Sequence, residues 1–173
     1  MTIKYCNDYQ KLIPQINSKK RGRLEGLSEA RIAEIEAALN SGNPLPQAFR
    51  EYLFLGGAWN KIGMDSPEYG RYEGFNEYWK KKMTARGLMP NRPIILYALW
   101  EEVGTFIYLD EGDDPQPWNF SLDDDYNDDI IVRDANGNII SEREVKIWKQ
   151  PYDSFSDAVN KKAYRAANGL PTA

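Results

Sequence analysis

Residues 93–121 read PIILYALWEEVGTFIYLDEGDDPQPWNFS, and this stretch decides the fold class. After Pro93 the apolar period changes from helical to extended. Ile94 to Trp100 is a β-rich apolar run, and Glu101-Glu102-Val103-Gly104 reads as a turn. Thr105 to Asp110 is a second strand and Gln116 to Ser121 a third. Farther on, Ile130 to Asp134 and Asn138 to Ile140 flank Ala135-Asn136-Gly137, whose Asn-Gly pair is a strong hairpin signal. Glu144 to Trp148 adds a last edge strand.

Upstream of Pro93 the pattern is helical. Tyr9, Leu12, Ile13 and Ile16 form a short stripe within a weakly patterned segment, residues 1–26. A clearer helix opens at Ser28, which caps the first free N–H groups, with Leu27 and Ile32 placed as a hydrophobic staple. Ile32, Ile35 and Leu39 continue it until Asn40-Ser41-Gly42. Pro46 suits the first position of another helix, with Phe49, Tyr52 and Leu53 inward and Gly56-Gly57 as a left-handed cap. Ser66-Pro67-Glu68 begins a helical stretch to about Arg86, with Tyr69, Tyr72, Phe75, Trp79 and Met83 on one face and Lys80-Lys81-Lys82 on the exposed one. Downstream, Ser154-Phe155-Ser156-Asp157 is a capping box opening a C-terminal helix. Helices, then antiparallel strands, then one helix predict an α+β domain: a twisted, mostly antiparallel sheet with N-terminal helices and a C-terminal helix packed on it. The division is a single domain over 27–168 and a tail over 169–173.

With 173 residues, 42% hydrophobic and 13% aromatic, the chain has the material for one core without disulfide or metal staples. Its longest apolar run, Pro93 to Trp100, is far below a membrane span, and its first residues lack the apolar core of a secretory signal. A soluble protein of the cytosol is expected, with no membrane partner.

Two absences narrow the chemistry. There is no histidine, which removes imidazole bases and His-ligated metals. The single cysteine, Cys6, allows no internal disulfide or thiolate cluster and reads as a small half-buried residue near a fraying terminus. Asp123, Asp125 and Asn127 imitate the start of a calcium loop. However, Asp128 stands where that loop needs glycine and Asp134 where it needs glutamate, so no metal site is assigned. No phosphate loop or nucleophile elbow occurs, and most acids sit in runs typical of water-exposed loops. A carboxylate hydrolase needs one acid in an apolar pocket and one kept ionised. The expectation is no catalytic residue and no cofactor.

The charge is uneven. Between Pro93 and Val132 there is no Lys or Arg but eleven acids, leaving 15 acids against 22 bases in the rest of the chain. Such a block steers cationic partners and repels nucleic acid. Trp118, Phe120 and Tyr126 are interleaved with it, and large aromatics beside charges have the composition of a binding hot spot. The candidate partner-binding residues are therefore Asp110, Glu111, Asp113, Asp114, Trp118, Asp123, Asp124, Asp125, Tyr126, Asp128 and Asp129, with Trp118 and Tyr126 as anchors. The opposite feature, Lys19-Lys20-Arg21-Gly22-Arg23, is short and without aromatics, and reads as a solvated connector.

The stretch Leu27 to Trp59, LSEARIAEIEAALNSGNPLPQAFREYLFLGGAW, resembles the N-terminal signature of the SUKH superfamily. The matching features are Ile32 to Glu36 within the first helix and the Leu45-Pro46 pair. Phe49 or Tyr52 with Leu53 on the next helix, and Gly56-Gly57 at its end, complete the signature. The later strands, Asn136-Gly137 and Ser154-Phe155 resemble the second half, so the likeness spans roughly residues 24 to 168. It implies a layered α+β fold, and a function: many bacterial members are immunity proteins that bind and neutralise a cognate polymorphic toxin, often a nuclease. Eukaryotic members act as regulatory binding domains. The family carries no catalytic set. The expected partner is thus a toxin protein with a basic surface, covered by an acidic, aromatic-rich one; the alternative is a regulatory or scaffolding interaction domain.

Overall fold

The structure, a computed structural model, describes residues 1–19, 24–64, 67, 70–122, 132–133, 139–140 and 146–172. The helices are α1 (Asn7–Lys19), α2 (Glu29–Leu39), α3 (Gln47–Gly56), α4 (Tyr72–Ala85) and α5 (Phe155–Ala167). The strands are β1 (Ile94–Trp100), β2 (Val103–Tyr108), β3 (Pro117–Ser121), β4 (Val132–Arg133), β5 (Ile139–Ile140) and β6 (Ile147–Lys149). β1, β2, β3 and β6 form an antiparallel sheet in that order, and β4 pairs with β5 separately. This is the expected α+β class, with helices before the sheet and one after it. Among the described residues no helix is long and apolar enough to cross a membrane.

Both faces of the sheet are covered. On one, Ile95, Tyr97 and Ile107 join the main core with residues of α1, α2, α3 and α5. Phe155, the first residue of α5, is its hub. The rings of Tyr97, Phe49 and Tyr52 stand edge-on around it at 5.1, 5.3 and 5.6 Å, the orientation that aromatic quadrupoles favour. On the other face, Ile94, Leu96, Phe106 and Phe120 pack with Met83 of α4. Gly104 sits opposite Phe120 in the register, and any side chain there would collide with that ring. β1 takes an irregular step: Leu96 faces Phe106 and Ala98 faces Thr105, so Tyr97 is the extra residue of a bulge.

Two helix starts agree with the sequence. The Ser28 side chain accepts from the Arg31 amide and the Ser154 side chain from the Asp157 amide. Others differ. Pro46 is the cap of α3, one residue before its start, and Gly57 has φ −66, in the right-handed region. The glycines serve close packing instead, since a side chain at Gly56 would strike the Tyr9 hydroxyl. α4 begins at Tyr72, later than the pattern suggests; Ser66 and Tyr69 lie outside the described residues. Strand β2 starts at Val103, inside the expected turn, which shortens to Glu101-Glu102. The Asn136-Gly137 turn and the basic residues 20–23 are also outside the described residues.

The weak pattern of residues 1–26 hides an integral helix. Cys6, Tyr9 and Ile16 are fully buried, and α1 lies against α5. The segment before α1 does not fray, because Glu51 of α3 accepts from the backbone amides of Lys4, Tyr5 and Cys6 at 2.9, 2.7 and 2.9 Å. Cys6 is therefore fully buried, its thiol donating to the Ala48 carbonyl. Burial first, then the nearby Glu51 charge, pushes that thiol well above its usual range and leaves it unreactive.

The outer edge of β1 is closed by α4. Asn76 donates to the Leu96 carbonyl and accepts from the Leu96 amide, each at 2.9 Å, as a neighbouring strand would. Lys80 donates to the Ile94 carbonyl at 2.6 Å. Lys80 thus belongs to the sheet edge, not to the exposed stripe assigned to it, and burial lowers its pKa. Such plugs prevent edge-to-edge pairing.

Candidate functional site

The loop between β2 and β3 carries Asp110, Glu111, Asp113 and Asp114, so the described acids of the expected surface are brought together. Their environments differ. Arg92, just before β1, binds Asp110 through two nitrogens at 3.0 and 2.6 Å and Glu111 at 3.1 Å. That fork holds the Asp110 carboxyl below the usual carboxylate range and raises Arg92 in turn. Asp114 accepts from the Ser156 amide at 2.9 Å and from its hydroxyl at 2.6 Å, capping the first turn of α5. Asp113 is exposed, with the Tyr5 hydroxyl donating to it at 3.4 Å, while its carbonyl accepts from the Ala48 amide at the start of α3.

The loop is therefore pinned at three places: to the segment entering α1, to the N-terminus of α3 and to that of α5. The amide of Phe155 donating to the Pro115 carbonyl at 2.8 Å adds a further tie. Helix N-termini bear partial positive charge and unsatisfied N–H groups, which is why acids collect where these ends meet.

Trp118 lies on β3 beside this corner. Its ring meets Tyr108 edge-on at 5.6 Å, the Arg92 guanidinium sits 4.0 Å from the Tyr108 ring centre, and the Lys149 ammonium lies 5.3 Å from that of Trp118. Arg92, Tyr108, Trp118 and Lys149 make a row across one sheet face in which two rings lie between two cations. Asp110 and Glu111 carry two negative charges there and Arg92 and Lys149 two positive, so this patch is locally balanced. The Trp118 indole N–H is buried with no acceptor among the described residues. Arg92, Tyr108 and Lys149 escaped the sequence reading. The two-residue spacing that puts Phe106 with Tyr108 and Trp118 with Phe120 was the signal available for the aromatic members.

The hairpin has a second acidic end. Glu101 and Glu102, in the two-residue turn between β1 and β2, are exposed and make no ion pair with any described residue. The Leu122 amide donates to the Glu102 carbonyl at 3.0 Å, so the chain leaves β3 at this same end. It is about 16 Å of strand away from Asp114. Asp123, Asp124, Asp125, Tyr126, Asp128 and Asp129, the remaining candidate residues, lie outside the described residues.

Behind this end is a cleft of about 470 Å³ between the sheet, α5 and the Gly63–Met64 turn, with Tyr97, Trp100, Thr105, Asn119, Gln150 and Lys162 in its wall. The Gln150 amide donates to Asn119 at 2.6 Å and the Lys162 ammonium to the Thr172 carbonyl at 2.7 Å. No carboxylate of the described residues lines it. A wider groove between α1 and α5 contains Asp8 and Asp157, each ion-paired to its own helix through Lys11 and Lys161. Among the described residues no group of acids and cysteine is placed to hold a metal ion.

Compared with family models, curated proteins and solved structures, the chain matches none.

Proposed function

We propose that this chain is a non-enzymatic binding module that neutralises a protein toxin by covering its cationic groups. The observation that carries the reading is the acidic loop Asp110–Asp114, fixed to the starts of α1, α3 and α5 by hydrogen bonds. A surface already ordered before binding costs little entropy on docking. The carboxylates left without an ion pair among the described residues, Asp113 on this loop and Glu101 and Glu102 at the far end of the hairpin, steer a basic partner and occupy the Lys and Arg that a nuclease would use for phosphate. Catalysis by carboxylates finds less support, because Asp110, Glu111 and Asp114 act as ion-pair partners and a helix cap, and Asp8 and Asp157, which share the groove between α1 and α5, are each held by a lysine of their own helix. The resemblance of Leu27 to Trp59 to SUKH immunity proteins points the same way.

The test is rescue of cells that express a toxin encoded beside this gene, followed by association kinetics with the purified toxin. Asp123→Asn/Asp124→Asn/Asp125→Asn should slow association and flatten its salt dependence. An unchanged on-rate at low salt removes those residues from the mechanism, and failure of rescue removes the toxin reading.

A further inference from the structure

We infer that the Trp100 end of the β1–β2 hairpin is a docking site for an arginine-bearing segment of a partner protein. The guanidinium lies on the Trp100 indole between the carboxylates of Glu101 and Glu102, and the adjoining residue enters the cleft behind. The inference rests on the reading of the chain as a protein-binding module and names the surface and chemistry of the contact.

Trp100 is 64% exposed, more than any other large apolar side chain of the described residues. The protein places cations over three of its other four indoles. Lys61 lies 5.0 Å from the Trp59 ring centre, Lys82 4.8 Å from that of Trp79 and Lys149 5.3 Å from that of Trp118. Trp100 has no such cation among the described residues, yet two acids follow it directly in the chain. Those acids are also unlike the ones at the opposite end of the hairpin, where Arg92 already neutralises Asp110 and Glu111. An open aromatic face beside two unpaired carboxylates is complementary to a cation supplied from outside.

Arginine meets this geometry better than lysine. Its planar guanidinium stacks on an indole and offers a rigid fork to a carboxylate at the same time, and it is more weakly hydrated than an ammonium. The cleft then selects the neighbour. Its volume is within the range of ligand pockets, and its wall offers the amides of Asn119 and Gln150, the Thr105 hydroxyl and apolar surface. Its one charged group among the described residues, Lys162, donates to the Thr172 carbonyl. An uncharged side chain suits it and a second cation does not.

The experiment titrates the ¹⁵N-labelled full chain with tri-arginine amide, and separately with tri-lysine amide. Tri-arginine should shift the Trp100 indole resonance and the amides of Thr105 and Asn119. Trp100→Ala should weaken binding about two- to five-fold, as loss of an exposed cation–π contact does, and Glu101→Gln/Glu102→Gln should weaken it at least as much. Glu34→Gln, on the exposed face of α2, should leave it unchanged. Shifts that spread equally over both ends overturn the inference, as does affinity indifferent to Trp100→Ala, or tri-lysine binding as tightly as tri-arginine. Trp100 is exposed, so its variant retains the fold, and the glutamine pair offers an independent check. Loss of this site with toxin rescue intact would place the neutralising contact elsewhere, so the two readings fail separately.

Discussion

Asn76 stands in for a strand beside Leu96, donating to its carbonyl and accepting from its amide at 2.9 Å each. It occupies the middle of the buried stripe of α4, between Tyr72, which reaches the main core, and Met83, which reaches the second. Asn76→Ala leaves two buried backbone groups unsatisfied and is expected to cost about 2–4 kcal/mol in urea unfolding. A change within about 0.5 kcal/mol, the ordinary scatter of surface substitutions, would mean that water replaces the amide and the edge is open.

Glu51 is a fully buried acid, and its carboxylate is spent on three consecutive amides, with the Gln47 side chain a fourth donor at 3.1 Å. Glu51→Gln keeps the size but replaces one oxygen by an NH₂ facing those donors. A loss of about 2–3 kcal/mol is expected, together with faster hydrogen exchange at Lys4, Tyr5 and Cys6. Unchanged protection at those amides would show that α1 is held by packing alone.

Glu101 has φ 53, the left-handed region that costs an L-residue roughly 1–2 kcal/mol. Glu101→Gly relieves that strain, partly offset by the flexibility of glycine in the unfolded chain. Stability should rise by about 0.5–1 kcal/mol in thermal unfolding while affinity for tri-arginine falls. A variant that is no more stable would show that the turn relaxes without help.

Arg31 and Glu73 join α2 to α4 through two bonds of 2.6 and 2.5 Å. Partial burial pushes the Glu73 carboxyl upward, but the Arg31 fork and a backbone hydrogen bond outweigh it, and Glu73 titrates below its ordinary value. A lowered folded pKa means the stabilisation is complete above the unfolded value of about 4.3 and vanishes as pH falls through the folded one. The difference in urea midpoint between the protein and Glu73→Gln should therefore be present at pH 7 and close as the pH is taken below the unfolded value of about 4.3. A difference independent of pH would assign the loss to packing.

Elements announced by local chemistry were legible in the sequence. Ser28 and Ser154 mark real helix caps, and the apolar run Ile94–Trp100 coincides with β1, because cap bonds and pleated packing act over a few residues. Asn76 and Glu51 were not legible, since a periodicity reading assigns polar residues to the surface and their partners lie 20 and about 46 residues away. The candidate surface was legible as composition only. Nothing local reveals that Arg92 clamps Asp110 and Glu111 or that Asp114 caps α5.

The pairing of α1 with α5 has a consequence for synthesis. The Tyr9 amide meets Asn160, 151 positions later, and Asn160 in turn holds the Tyr5 carbonyl. At a ribosomal pace of 5–20 residues per second, Tyr9 waits roughly 8–30 s for that partner to be translated. Throughout that interval the first helix travels as an unfinished half of the core, a natural client for whatever shields nascent apolar surface.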